Sequence, residues 1–125
     1  MWINPLGMQA ADTPAASTLL FERGRFGSTL RVTSSATGDL KWLDLPGLAL
    51  PGNLVIKGVT LCYDLSSASS FISQIRLSQE TVPPAATVVH DDGTDLTSTA
   101  PVCVTSAVNN VEVSGAITLS LRLDF

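Results

Sequence analysis

The stretch His90-Asp91-Asp92-Gly93-Thr94-Asp95 holds the chain's one histidine and three of its eleven acidic residues. Such a cluster could do metal chemistry. Asp91, Asp92 and Asp95 offer hard oxygen ligands, and loop carbonyls could complete a calcium shell. The spacing departs from the EF-hand loop, because Gly93 comes too early and no Glu closes the loop. The competing reading is a turn. Aspartate caps its own turn, glycine supplies positive φ, and like charges keep an edge strand soluble. The turn reading is preferred, so no metal and no cofactor are expected, with calcium at these three aspartates as the alternative.

Catalysis has less to work with. His90 is the one imidazole base available. No G-x-S-x-G elbow occurs, and Ser66, Ser67, Ser69 and Ser70 read as loop spacers. Asp91 and Asp92 are adjacent, so in extended backbone they point to opposite faces and cannot flank one substrate bond. No catalytic residue is assigned, and a small hydrolase dependent on His90 stands third among the functional readings. The aromatics Trp2, Trp42, Tyr63, Phe21, Phe26 and Phe71 could build a sugar-stacking platform with acids on its rim. Core packing is the expected role of Trp42. The alternative is a carbohydrate-binding module that uses Trp42 and the acidic loop 90–95, with His90 as a further ligand contact.

The run Glu22-Arg23-Gly24-Arg25-Phe26-Gly27, with Arg31 nearby, could grip phosphates and stack on a base. The chain as a whole argues otherwise. Seven basic against eleven acidic residues give a net charge of −4, whereas nucleic acid and anionic membranes call for a basic patch. No nucleic-acid or membrane partner is expected, and no apolar run approaches the roughly 18 residues of a membrane span.

These residues must be positioned by strands. Gly115–Phe125 alternates strictly: Ile117, Leu119, Leu121, Leu123 and Phe125 fall on one face, and Thr118, Ser120, Arg122 and Asp124 on the other. In "FISQIRLSQE", Phe71, Ser73, Ile75 and Leu77 oppose Gln74, Arg76, Ser78 and Glu80, with Ile72 breaking the polar side. In "LVIKGVTLCYDLS", Val55, Val59, Leu61, Tyr63 and Leu65 form one face, and Gly58 marks a bulge beside Lys57. In "DLKWLDL", Leu40, Trp42 and Asp44 share one face, and Lys41, Leu43 and Leu45 the other. Weaker strands are expected at 29–34, 39–45, 86–90, 101–107 and 110–113. Thr37-Gly38-Asp39, Pro51-Gly52-Asn53, Asp92-Gly93 and Asn109-Asn110 read as turns, and Ser66–Ser70 as a hairpin loop.

No window carries a helical stripe. Seven prolines and nine glycines are scattered along the chain, as in a meander or Greek key. The fold class is all-β: an antiparallel β-sandwich, with a jelly roll preferred and an immunoglobulin-like sandwich second. Residues 1–18 read as an N-terminal arm and 19–125 as a single β-sandwich domain. Charged residues make up only 14% of the chain, against about 25% in typical soluble domains. This predicts a surface partly covered in a homo-oligomer, with a trimer favoured over a dimer by fold-level analogy. Phe125, or Trp2 and Ile3 of the arm, is then expected against a neighbour or the domain's own core. Cys62 and Cys103 lie on the less apolar side of their strands. A disulfide requires those strands to be neighbours. The N-terminus has neither a basic n-region nor an apolar h-region, so free thiols and a cytoplasmic location are expected.

The run from Leu50 through Pro51, Gly52, Ile56, Gly58, Val59, Thr60 and Tyr63, followed by Ile75-Arg76-Leu77, is similar to a pattern of uncharacterised bacterial β-sandwich proteins: "LP-G-x-x-I-x-G-V-T-x-x-Y" leading to "I-x-L". The resemblance covers about a fifth of the chain. It implies a sandwich fold and carries no activity or site residues.

Overall fold

The structure of the protein is a computed structural model that describes residues 1, 3–11, 17–24, 29–82 and 85–125. A short 3₁₀ turn, Pro5–Gly7, precedes nine strands: β1 Gln9–Ala10, β2 Leu19–Arg23, β3 Leu30–Ser34, β4 Leu40–Leu48, β5 Val55–Tyr63, β6 Phe71–Val82, β7 Ala85–Asp92, β8 Val102–Glu112 and β9 Ile117–Asp124. All pairings are antiparallel. A five-stranded sheet runs β1-β4-β9-β6-β7, and two ribbons, β2-β3 and β5-β8, complete the layers. The architecture is the all-β antiparallel sandwich that the alternating patterns predict. Among the described residues no helix is long and apolar enough to cross a membrane.

The pairings nest. β6 pairs β7, β5 pairs β8 and β4 pairs β9, as in one long ribbon folded on itself. β9 also pairs β6, which closes the ribbon onto its own middle and makes β9 the central strand. The strict alternation of β9 suits that place. Ile117, Leu119 and Leu121 are buried, and Leu123 and Phe125 pack on the same core. Leu43 and Leu45 of β4 and Ile75 and Leu77 of β6 flank them. Opposite lie Ile56, Val59, Leu61 and Tyr63 of β5 with Val104, Val108 and Val111 of β8. Each such aliphatic side chain contributes about 1.5–3 kcal/mol when fully buried.

Several expectations are corrected by register. Ser66–Ser70 is not a hairpin loop, because β5 and β6 lie in different sheets. Both strands have an apolar face, and opposing the two faces across the core buries both. The pairing of β6 with β9 shifts between Ile72 and Gln74. Ser73 is the extra residue, and this bulge turns Ile72 into the core. The expected strands 101–107 and 110–113 are one strand, β8. Asn109-Asn110 is a bulge within it, with Asn110 at φ 47°. The pairing of β5 with β8 shifts there, between Ile56 and Gly58, as Gly58 predicts. The shift hands the core position to Ile56 and leaves Val55 exposed.

β1 and β2 are strands with no counterpart in the sequence reading. Gln9–Ala10 pairs with β4, and Met8 and Ala10 pack on the core, so this part of the arm docks on its own domain. Trp2 lies outside the described residues. Phe125 also packs inward, and its N–H donates to the Asp39 carbonyl at 3.0 Å. The Asp39 carboxylate ties β2-β3 to the start of β4. It accepts from Thr18 Oγ1 and, at 3.0 Å, from Ser34 Oγ, and Lys41 Nζ is 3.5 Å away.

Candidate functional site

The residues singled out by sequence sit at the C-terminal end of β7, where alternation sends them to two faces. His90 pairs with Leu77 and Asp92 with Ile75, both core residues of β6, so these two side chains turn inward. Asp91 pairs with Arg76 and turns outward.

On the inner side the two meet Ser106 of β8, which is 4% exposed. Ser106 Oγ donates to Asp92 Oδ2 at 2.5 Å, and His90 Nε2 lies 2.7 Å from the same oxygen. A hydroxyl has one proton. Since it goes to Asp92, His90 must donate from Nε2 to Ser106. This polarity is the reverse of a nucleophile–base pair, in which imidazole accepts the serine proton. Asp92 Oδ1 accepts the Thr94 N–H at 3.0 Å, which forms the turn that Asp92-Gly93 predicts. The hydrogen bond from Ser106, followed by that from Thr94, holds the Asp92 carboxyl below the usual carboxylate range. The inner half of the motif is thus a polar clamp between the sheet strand β7 and the ribbon strand β8.

On the outer side the five-stranded sheet carries rows of polar residues. One row is Trp42 of β4, Arg122 of β9 and Gln74 of β6; the next is Asp44, Ser120, Arg76 and Asp91. Arg76 donates from Nε to Asp91 Oδ1 at 3.3 Å and from Nη2 to Oδ2 at 3.1 Å. Gln74 Nε2 also donates to Asp91 Oδ1. The Arg76 hydrogen bond is the first cause that lowers the Asp91 carboxyl below its ordinary value, against a smaller opposing effect of burial. The Arg76 guanidinium carbon is 4.7 Å from the Trp42 ring centroid, and that of Arg122 is 6.0 Å away. Arg122 Nε donates to Ser73 Oγ at 2.8 Å, and Ser120 Oγ donates to Asp44 Oδ1 at 2.6 Å.

The three aspartates of the alternative calcium reading are not brought together. Asp91 is held by Arg76 outside, Asp92 by Ser106 inside, and Asp95 is exposed beyond the turn. Among the described residues no group of three His, Cys, Asp or Glu could hold a metal ion. Trp42 is corrected from core to outer face, because β4 turns Leu43 and Leu45 inward. The sugar-binding reading named Trp42 and the acidic loop, and these do meet, through Arg76. His90 is on the opposite side of the sheet from Trp42. In the basic run, Glu22 and Arg31 approach to 4.0 Å, while Arg25, Phe26 and Gly27 lie outside the described residues. A cleft of about 300 Å³ between the 49–52 and 113–116 segments contains no titratable side chain.

The sequence reading passed over Ser106, though a signal exists. It interrupts the inward series Val104, Val108 of β8 with a hydroxyl, and a buried hydroxyl needs a partner. The free-thiol expectation is also overturned. Cys62 and Cys103 are direct cross-strand partners on the exposed face of β5-β8 and form a disulfide. Next to them Thr60 and Thr105 share a hydrogen bond of 2.8 Å. Comparison of the chain with protein-family models, with characterised proteins and with solved structures finds no match.

Proposed function

We propose that the protein is a non-enzymatic β-sandwich module of jelly-roll type that self-associates and presents loops and a sheet face for binding. The observation that carries the self-association is the end of the β6-β7 hairpin. Val82 is 70% exposed and Val88 50%, with Ala85, Ala86 and Thr87 exposed between them on an open edge strand. Uncharged edges of this kind attract further strands unless covered. Leu20 and Phe21 of β2 are exposed as well. The nested pairing of β4 to β9 supports the jelly-roll wiring, and the "LP-G" run supports a bacterial sandwich relationship. The disulfide supports an oxidising compartment in place of the cytoplasm. Light scattering tests the reading. A trimer of the 13.1 kDa chain has a mass of about 39 kDa, and Val82→Asp with Val88→Asp should reduce it to one chain. A wild-type mass of one chain at micromolar concentration overturns self-association.

A second reading, carbohydrate binding, is favoured by the position of Trp42 on an open polar sheet face. Binding on a glycan array that disappears in Trp42→Ala supports it. The hydrolase reading gains no support, because the Ser106 proton is directed at Asp92 and not at His90.

A further inference from the structure

Among the described residues Arg122 is a cation of the outer face with no acidic partner. Its neighbour Arg76 is neutralised by Asp91. Arg122 makes one side-chain hydrogen bond, from Nε to Ser73, and among the described residues no ion pair. Among the described residues no buried side-chain nitrogen or oxygen lacks a partner, so the two terminal nitrogens of Arg122 are not sealed from solvent. The side chain is nevertheless oriented. It stands on the central strand, fixed at Nε by Ser73 and lying by the Trp42 ring. A planar guanidinium held in this way presents a two-pronged donor that fits a carboxylate.

An acceptor stands beside it. Asp44, in the next row, accepts from Ser120 on Oδ1 and leaves Oδ2 without a donor. A donor fork for an oxyanion, an acceptor for hydroxyls and an aromatic ring thus share one sheet face. Asp44 and Asp124 on this face, together with the net charge of −4, disfavour a polyanion. A ligand with one carboxylate among hydroxyls fits this mixture.

We infer that the outer face of the five-stranded sheet binds a carboxylated saccharide, a uronic acid unit, with Arg122 receiving the carboxylate and Asp44 accepting from a sugar hydroxyl. The inference rests on the carbohydrate-binding reading and narrows it. Calorimetry and tryptophan fluorescence with three probes test it: a disaccharide carrying one galacturonate unit, the matching neutral disaccharide, and acetate. A charge-assisted fork contributes roughly tenfold or more in affinity. The monouronate disaccharide should bind at least about tenfold tighter than the neutral probe, and Arg122→Gln should remove that preference. Arg122→Lys, which keeps the charge without the fork, should fall between the two. The comparison of probes on the wild-type chain does not depend on how any variant folds. Equal binding of acidic and neutral probes overturns the carboxylate assignment and leaves sugar binding standing. Acetate binding as tightly as the monouronate disaccharide overturns the saccharide. No binding of either saccharide at millimolar concentration overturns both readings.

Discussion

The Arg76 guanidinium carbon lies 4.7 Å from the centroid of the Trp42 ring while the same group donates to both oxygens of Asp91. Three strands, β4, β6 and β7, are thereby joined over the outer surface of β9. Trp42 is held where an open sheet face would otherwise leave an indole loose, and Ser120 and Gln74 are buried beneath this polar layer.

The two ends of that chain should differ in weight. The Arg76–Asp91 pair is about one-third exposed on the arginine side and more on the aspartate side, so Asp91→Asn should cost less than about 1 kcal/mol. Trp42→Ala removes the ring from both guanidiniums and uncovers the row beneath, so it should cost more, about 2 kcal/mol. Urea denaturation measures both. Equal losses would mean that the ring covers nothing of consequence.

Acid should destabilise the fold through three carboxylates. Asp39, Asp91 and Asp92 are all held below the ordinary aspartate value, chiefly by hydrogen bonds from Thr18, Arg76 and Ser106 respectively. A depressed folded-state pKa means that the unfolded chain binds protons first as pH falls. The stability these groups contribute is therefore complete above about pH 5 and is lost as pH drops through about 4 and below. Urea midpoints should be flat from pH 7 to 5 and fall beneath that, and Asp92→Asn should shrink the fall. A midpoint that does not move down to pH 3 contradicts the assignment.

Ser106 carries more than its size suggests. Ser106→Ala leaves Asp92 Oδ2 and His90 Nε2 without their shared partner between the layers, and an unmet buried polar group costs about 1–3 kcal/mol. The loss should be of that order. Ser106→Ala combined with His90→Ala should cost less than the sum of the singles, because both act on one hydrogen-bonded chain. Additive losses would break the clamp reading.

How far these contacts could be read ahead depended on whether neighbours in space were neighbours in sequence. The inward face of β9 and the turn at Asp92-Gly93 follow from local rules: a period of two and an Asp-Gly pair. The face of Trp42 did not, because "DLKWLDL" has leucines on both sides. The decision rests on Leu43 and Leu45 facing the core against β9, about 75 residues later. Ile72 reads as a break in the polar side for a similar reason, since a bulge at Ser73 appears only once β6 is laid on β9. The disulfide needed the β5-β8 register, and the Ser106 clamp needed β7 to cross from its sheet to β8. Long-range pairing set each of these, and alternation within one strand carries no information about it.

The disulfide offers the last test. Cys62 and Cys103 are 41 residues apart, and closing such a loop restricts the unfolded chain by about 4 kcal/mol in the chain-entropy picture. In a domain of this size that corresponds to a shift on the order of 10–15 °C. The cysteines face solvent on strands that are already paired over their length, so reduction should lower the melting temperature without reorganising the β5-β8 ribbon. Dithiothreitol should reach the bond in the native state and shift the wild-type melting curve downward. Cys62→Ser with Cys103→Ser should melt at the reduced temperature with or without reductant, and its circular dichroism at 25 °C should match the wild type. A wild-type melting temperature indifferent to dithiothreitol would show that the two thiols are not bridged in solution, and the argument for an oxidising compartment would fall with it.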